Sequence, residues 1–300
     1  MTGNPELIAA IRAEIAQAGG RITFARFMEL ALYHPQHGYY TAGRERIGKT
    51  GDYFTSVSVG ALFGRILARQ FQQWGVDDVT EFGGHRGQLR QDILAAAPDL
   101  KYRVIEVGDE LPAQITGCVF SNEFLDALPV HRVVGDREVY VTGDFTETLG
   151  PLSDARLPRL PAGYRSEINL RALDWLDDIT RRLTRGYVLT IDYGFERAEY
   201  FAPHHKDGHL QCYRHHAKSG NPYEFIGEQD ITSHVEFTSL IEHGQTLGFE
   251  PVVFTTQERY LMKVGEAEIL QVSNRNAVHQ LLHSTMGQAF KVLVQRKGIW

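Results

Sequence analysis

The fold is decided by the stretch Val79-Thr-Glu-Phe-Gly-Gly-His-Arg-Gly-Gln-Leu89. A short β-branched segment ends at the acidic Glu81, turns through glycines, and leads into a helical pattern at 88–97. Glycine lets the backbone approach a ligand where a side chain would block it, and the first helical turn offers free N–H groups at the same place. The stretch therefore predicts a ligand-binding turn at the carboxyl end of a strand. For the glycines alone, an ordinary strand–turn–helix joint is an equally good explanation.

The next strand-like segment, 101–106, also ends in an acid. Glu106 is placed there to accept both hydroxyls of a ribose. The glycine turn lacks the G-x-G-x-x-G spacing and the lysine typical of nucleotide-phosphate sites, which disfavours a nicotinamide-dependent dehydrogenase. Glu81 would repel a pyrophosphate, but it suits an ammonium group. Together the two acids favour S-adenosylmethionine, a cation with an amino-acid end and a ribose.

A third segment, 118–129, contains the polar turn Asn122-Glu-Phe-Leu-Asp126. Polar residues at the carboxyl end of a strand face the crevice in which substrates bind. Glu123 and Asp126 are three residues apart, so a helical turn would put both carboxylates on one side. There they could grip a guanidinium through paired charge-assisted hydrogen bonds. For this segment alone, capping of a tight turn by Asn122 and Asp126 is the better explanation. Asp192, another strand-end acid, is assigned neither to substrate nor to structure.

Composition bounds the class of protein. The 300 residues carry a net charge of −6, which argues weakly against a nucleic-acid partner. Cys118 and Cys212 are the two cysteines and offer no disulfide framework. No apolar run is long enough to span a bilayer, and the N-terminus lacks the pattern of a secretion signal. A cytoplasmic location is therefore expected.

The periodicity predicts an α/β protein in two parts. Residues 1–75 are expected to form an N-terminal helical cap with an active-site loop, and residues 76–300 a Rossmann-like core with an irregular insertion at about 195–235. The predicted helices are 5–18, 23–33, 57–74, 88–97, 165–183 and 238–247. The predicted strands after the glycine turn are 101–106, one that begins at 118, a hairpin of 130–134 and 138–141, 186–194, 251–255 and 290–295.

Two polar regions lie outside the predicted sheet. The stretch Gly51-Asp-Tyr-Phe-Thr-Ser56 could fold over a site at the start of helix 57–74, and capping of that helix is part of its explanation. The histidines between 204 and 216 match no standard zinc signature, so no metal site is predicted.

With these motifs in order along the chain, the sequence resembles the MidA-like family of S-adenosylmethionine-dependent methyltransferases. The resemblance runs from about residue 20 to 297. The Asn-Glu-Phe-x-Asp-Ala-Leu-Pro and Asp-Tyr-Gly blocks are specific together, whereas the glycine motif alone is not. The blocks that carry it are Gly38-Tyr39-Tyr40, Gly51–Ser56, Glu81-x-Gly83, Asn122–Pro129, Ile191–Gly194, Asp230-Ile231-Thr232 with Val235-x-Phe237, and Met286-Gly287 with Phe290–Leu293.

The resemblance implies a class I methyltransferase fold, with a mostly parallel seven-stranded sheet and a reversed last strand. It implies S-adenosylmethionine as cofactor, and the family's mitochondrial members methylate an arginine of a respiratory-complex subunit. A protein substrate of that kind is the partner it implies. The site residues expected from residues and resemblance together are Asp52, Phe54, Thr55, Ser56, Glu81, Gly83, Gly87, Glu106 and Asn122 for the cofactor, and Glu123 and Asp126 for catalysis.

The chain departs from the family pattern at two places. The family motif usually reads Glu-x-Gly-x-Gly-x-Gly, but its middle glycine is His85 here. The stretch between Glu106 and Asn122 is also too short for the helix and strand that the family generally has there. These departures keep open a catalytically weak or inactive member that acts as an assembly or chaperone protein. A small-molecule methyltransferase on the same sheet is a further alternative.

Methyl transfer to arginine would depend chiefly on placement, because the sulfonium donor is intrinsically reactive. A guanidinium stays protonated at neutral pH, so a carboxylate must hold it, aim one nitrogen and take up a proton. Glu123 is the expected base, and Asp126 its orienting partner.

Overall fold

The structure is a computed structural model, and it describes residues 2–42, 61–85, 87–214, 217–271, 275–282 and 285–299. Its helices are α1 (Pro5–Gln17), α2 (Phe24–Tyr33), α3 (Leu62–Gln73), α4 (Gln88–Ala96), α5 (Leu170–Arg182), α6 (Arg197–Tyr200), α7 (Phe237–Thr246), α8 (Gln257–Val264), α9 (Glu266–Leu270), α10 (Arg275–Leu282) and α11 (Thr285–Ala289). A 3-10 turn covers Pro203–His205.

The strands are β1 (Arg21–Thr23), β2 (Asp78–Phe82), β3 (Lys101–Ile105), β4 (Ile115–Asn122), β5 (His131–Val134), β6 (Arg137–Thr142), β7 (Glu147–Gly150), β8 (Arg165–Ile168), β9 (Leu183–Phe195), β10 (Leu210–Arg214), β11 (Ala217–Ser219), β12 (Asp230–Ser233), β13 (Val235–Glu236), β14 (Glu250–Thr256) and β15 (Phe290–Lys297).

Contacts group the chain into two compact units. The first comprises Met1–Phe54, Asp126–Ala172 and Glu196–Glu236, and the second comprises Thr55–Leu125, Leu173–Phe195 and Phe237–Trp300. This grouping differs from the expected division at residue 75, because two later segments of the chain join the N-terminal residues. A linear reading cannot find such a unit, since its members are far apart in sequence.

The first unit begins with helices whose starts follow from their capping residues. The Asn4 side chain accepts a hydrogen bond from the Leu7 N–H (3.0 Å), and Thr23 caps α2 by accepting from the Arg26 N–H (3.2 Å). A five-stranded sheet runs β1-β6-β5-β8, with β7 paired to β6, and a three-stranded sheet runs β11-β10-β12. The β5–β6 hairpin confirms the prediction for 130–141. The core of this unit is aromatic and aliphatic, and includes Phe24, Phe27, Met28, Val139 and Ile231.

The second unit contains the sheet that the glycine stretch predicts. Its main path has the strand order β14-β15-β9-β4-β2-β3 in a seven-stranded sheet. β2 is parallel to β3 and β4, and β4 is parallel to β9. β15 is antiparallel to both neighbours, β9 and β14. The α/β class with a reversed last strand is therefore confirmed. Between β3 and β4 the chain forms neither helix nor strand, as the short segment predicted.

Two element predictions are wrong. A helix was expected over 165–183, but Arg165–Ile168 is the strand β8, which pairs with β5 and places Glu167 opposite Arg132. The helix starts at Leu170, and the preceding Asn169 caps it: its side-chain oxygen accepts a hydrogen bond from the Ala172 N–H (2.9 Å). The region expected to be irregular contains β10, β11 and β12. β8 forms because it pairs with β5, some thirty-five residues earlier in the chain (His131 with Ile168), whereas β10 pairs with β11 and β12 of its own region.

Among the described residues, no helix combines the length and the apolar character needed to cross a membrane.

Candidate active site

The glycine turn follows β2 in the second unit, and each glycine has a steric reason. Gly83 and Gly87 have left-handed φ angles of 72° and 70°, which side chains disfavour. A Cβ on Gly84 would lie 2.6 Å from Oε2 of Glu81. Gly87 is the N-cap of α4 and supplies no side-chain capping bond. The turn leads directly into the amino end of α4, and its use as a ligand site stays a prediction.

His85 occupies the position of the missing glycine and adopts the conformation that glycine favours, with a φ of 50°. Partial burial raises the pKa of Glu106. A hydrogen bond from the backbone of His85 to the Glu106 carboxylate acts in the opposite direction but has the smaller effect. The Gly83 N–H donates to the carbonyl of Ile105 (3.0 Å). The turn after β2 and the acid after β3 are therefore joined, which brings Glu81, Gly83 and Glu106 into one region.

Glu81 is almost completely buried, with 2% of its surface exposed. The Tyr102 hydroxyl donates to its Oε2 at 3.0 Å. Burial raises the pKa of Glu81 to about 7, and the charge of Glu106 acts in the same direction, while the bond from Tyr102 opposes both. A carboxyl group in this condition releases its proton readily when a cation approaches.

Three aromatic side chains lie beside the turn, and the sequence did not point to them. Phe82, Phe124 and Trp175 form a triangle of ring contacts with centroid distances of 5.5 to 5.8 Å. A Cβ on Gly83 would lie 3.0 Å from the ring of Phe124. Their signal in the sequence is weak, because an aromatic residue beside a glycine or an acid is common.

Glu123 follows β4 and lies in a strained backbone conformation, with a φ of 52°. Its N–H donates to the carbonyl of Ile191 (3.0 Å). Asn122 donates from Nδ2 to Oε1 of Glu123 (3.1 Å), and the Tyr193 hydroxyl donates to Oε2 (3.1 Å). Each carboxylate oxygen thus has a named donor. Asn122, which the sequence predicts at the cofactor, thus hydrogen-bonds the predicted catalytic carboxylate, and its contact with the cofactor stays a prediction.

Asp192 holds the backbone of the same turn. It is fully buried, and its Oδ2 accepts from the N–H groups of Phe124 (3.2 Å) and Leu125 (2.8 Å). Its Oδ1 accepts from the Tyr193 N–H (2.9 Å). This strand-end acid, which the sequence left unassigned, therefore acts on the structure of the turn after β4.

Asp126 belongs to the first unit and lies among tyrosines there. It is 5% exposed, and its carbonyl accepts from the Ser233 N–H (2.9 Å). Tyr33 and Tyr40 stack with ring centroids 5.4 Å apart, and the Tyr40 hydroxyl donates to Asp230 (2.7 Å). Burial raises the pKa of both tyrosines well above its usual value, with smaller contributions from Asp230 and Asp126. Glu123 belongs to the second unit.

Four predicted cofactor residues, Asp52, Phe54, Thr55 and Ser56, lie outside the described residues.

The histidine region brings three metal-binding groups together in the first unit, namely Glu199, His204 and His205. Oε1 of Glu199 lies 2.8 Å from Nε2 of His204 and 3.7 Å from Nε2 of His205. A hydrogen bond between the exposed side chains of Glu199 and His204 accounts for their proximity by itself.

Sequence comparisons connect this geometry to known proteins. A family described as "Putative S-adenosyl-L-methionine-dependent methyltransferase" matches residues 99–255, just over half of the chain. The human mitochondrial protein arginine methyltransferase NDUFAF7 is 30% identical over 162 residues, which cover 48% of this chain and 35% of that protein. The match thus spans about a third of the human protein. The zebrafish protein of the same name is 24% identical over 348 residues, covering 89% of this chain and 79% of that protein.

Solved structures agree over the whole chain. A COG1565 superfamily member from Burkholderia thailandensis, bound to S-adenosyl-homocysteine, is 30% identical with a TM-score of 0.88 and covers 100% of this chain and 96% of that one. A native structure of a COG1565 superfamily protein from the same organism is 29% identical with a TM-score of 0.87, at the same coverage.

Proposed function

Since the chain belongs to this family of S-adenosylmethionine-dependent methyltransferases, we propose that it methylates an arginine side chain of a protein substrate. The arginine specificity is supported by the names of the mitochondrial relatives, which are distant in sequence. The observation that carries the proposal is the hydrogen bonding of the Glu123 carboxylate, whose two oxygens accept from Asn122 and Tyr193. A carboxylate with both oxygens oriented is suited to a planar cation with paired donors.

The residues around the glycine turn fit S-adenosylmethionine. Gly83 and Gly87 leave the backbone accessible, and the first N–H groups of α4 have no side-chain cap. Glu81 and Glu106 present two carboxyl groups near this turn, one for an ammonium group and one for ribose hydroxyls. The bound cofactor would supply an electrophilic methyl group on a positively charged sulfur.

The chain's own residues then have to prepare the acceptor. Glu123 binds the guanidinium and directs one of its nitrogens toward the methyl donor. Because this geometry is fixed in advance, less reorganisation of solvent is needed during the reaction. When the N–CH₃ bond forms and the S–CH₃ bond breaks, the electron pair of that bond stays on sulfur. The acceptor nitrogen then carries one proton too many, and Glu123 takes it up and passes it to water. Asp126 is proposed to orient the same substrate.

The test is the conservative variant Glu123→Gln. We expect it to abolish the transfer of tritiated methyl groups from S-adenosylmethionine to proteins of a lysate that lacks this gene product, because the amide can neither pair with the guanidinium nor accept its proton. Calorimetry should give an unchanged affinity for the cofactor. Glu110→Gln, an exposed glutamate of the same unit, is the matched control and should transfer normally.

The same assay decides between the proposal and its rivals. Methylarginine released by hydrolysis of labelled protein supports the proposal, and the labelled protein can then be compared with the proposed respiratory-complex subunit. Label confined to the low-mass fraction would replace it with a small-molecule methyltransferase. Full activity of Glu123→Gln would remove this residue as the base.

A further inference from the structure

The turn after β4 is held in a conformation that it would not adopt by itself. Glu123 has a positive φ of 52°, a left-handed backbone conformation that residues with a side chain disfavour. Strain of this kind persists only where surrounding contacts determine it, and it concentrates at functional sites. The contacts responsible are therefore informative about which residues serve the site.

Among those contacts are the hydrogen bonds made by two consecutive residues of β9, Asp192 and Tyr193. Asp192 accepts three backbone hydrogen bonds, from Phe124 (3.2 Å), Leu125 (2.8 Å) and Tyr193 (2.9 Å), with no exposed surface of its own. Bonds between backbone N–H groups and a carboxylate are charge-assisted and stronger than neutral ones. Asp192 thus fixes the backbone directly after Glu123.

Tyr193 fixes the side chain of Glu123. Its hydroxyl donates to Oε2 at 3.1 Å, while Asn122 donates to Oε1 at the same distance. The direction of Tyr193 is itself determined, since its ring packs on Phe290 with centroids 4.0 Å apart. Phe290 is fully buried and lies opposite Tyr193 in the register between β15 and β9. The reversed last strand therefore sets the position of the hydroxyl that orients Glu123.

We infer that Asp192 and Tyr193 are positioning residues for the catalytic carboxylate of Glu123, an assignment that rests on the proposed function. Asp192 imposes the backbone turn, and Tyr193 aims the carboxylate oxygen. Both act through Glu123 and neither is assigned a contact with the methyl donor. Removing the Tyr193 hydroxyl should leave Glu123 in place but less well directed, with a less stabilised charge.

The test compares Tyr193→Phe with Tyr187→Phe. Tyr187 lies on the same strand and stacks on Trp74 with centroids 4.2 Å apart. Each variant therefore removes one tyrosine hydroxyl from β9. In the lysate assay, Tyr193→Phe should lower the maximal rate of methyl transfer about ten- to a hundredfold, the value of one hydrogen bond to a charged group. The apparent KM for S-adenosylmethionine and the calorimetric affinity should not change. Tyr187→Phe should behave as the wild type.

A readout that needs no turnover completes the test. With ¹³C-labelled glutamate, the carboxyl signal of Glu123, identified by its loss in Glu123→Gln, should titrate at a higher pH in Tyr193→Phe than in the wild type. Asp192→Asn should lower the transfer rate as well, and Tyr193→Phe, which leaves the buried turn intact, decides the question if Asp192→Asn fails to fold.

The outcomes are distinguishable. A wild type that transfers no methyl group to protein, with the Glu123 signal still sensitive to Tyr193, refutes the proposed function and leaves the positioning of this carboxylate standing. A wild type that is active, with Tyr193→Phe equal to it in rate and in the Glu123 titration, overturns the inference. An altered KM for the cofactor with an unaltered maximal rate also overturns it, because Tyr193 would then serve cofactor binding.

Discussion

At the scale of single residues, the buried carboxyl group of Glu81 couples the stability of the fold to pH. The folded protein raises its pKa to about 7 from an ordinary value of 4.5. The folded state therefore binds a proton more tightly than the unfolded state. By linkage, its contribution to stability is fully present below pH 4.5 and is lost as the pH rises through about 7.

This linkage predicts a pH-dependent free energy of unfolding for the cofactor-free protein. Between pH 5 and pH 8 the unfolding free energy of Glu81→Gln should rise relative to that of the wild type by on the order of 3 kcal/mol, since glutamine carries no titrating proton. Urea unfolding at a series of pH values measures the difference. Glu110→Gln should show no such trend. Parallel curves for Glu81→Gln and wild type would contradict the burial argument.

At the scale of elements, β8 depends on a buried ion pair. Glu167 and Arg132 face each other in the register of β8 and β5, are 1% and 6% exposed, and are joined by a hydrogen bond from Nε to Oε1 of 3.1 Å. The Arg132 guanidinium also contacts Glu147 and lies over the ring of Phe24 at 4.9 Å. The pairing explains why residues 165–168 form a strand although their local pattern is typical of a helix.

Glu167→Gln should therefore destabilise the first unit by about 2 kcal/mol or more, because the buried Arg132 loses one of its two carboxylate partners and a charge-assisted hydrogen bond. The measurement is the shift of the urea midpoint at constant slope. Asp154→Asn is the control in the same unit: its ion pair with Arg156 has side chains that are 31% and 45% exposed, and its loss should cost less than about 1 kcal/mol. Equal effects of the two variants would mean that burial does not govern this pair.

At the scale of the whole molecule, the described site elements of the second unit should respond to the cofactor as a group. The glycine turn, the acid after β3 and the turn after β4 all follow strands of one sheet at their carboxyl ends. A ligand that binds only the folded state adds stability by mass action, about 2.7 kcal/mol at a concentration one hundred times its dissociation constant.

Hydrogen exchange tests this grouping. S-adenosylmethionine should slow exchange at 83–89 and at 105–107, where backbone N–H groups surround the proposed site, and leave the β5–β6 hairpin of the first unit unaffected. The midpoint of thermal unfolding should rise with cofactor concentration. Slower exchange in the hairpin without any at the glycine turn would place the cofactor elsewhere.

The sequence by itself determined the elements with local signals. Asn4 with Pro5 and Thr23 mark helix starts through capping, and Gly83 and Gly87 mark a turn that needs left-handed backbone angles. The acids that end parallel strands could be recognised because strand, turn and helix alternate at short range. The α/β class and the cofactor were accessible for the same reason.

Only the tertiary structure decided what depends on distant partners. The strand β8 and the composition of the first unit arise from pairings between segments far apart in the chain. The hydrogen bonds from Leu125 to Asp192 and from Tyr193 to Glu123 likewise join residues about seventy positions apart in the sequence. Capping and periodicity act within a few residues, whereas hydrogen bonds between strands and burial of charge act between neighbours in space, which the order of residues alone does not reveal.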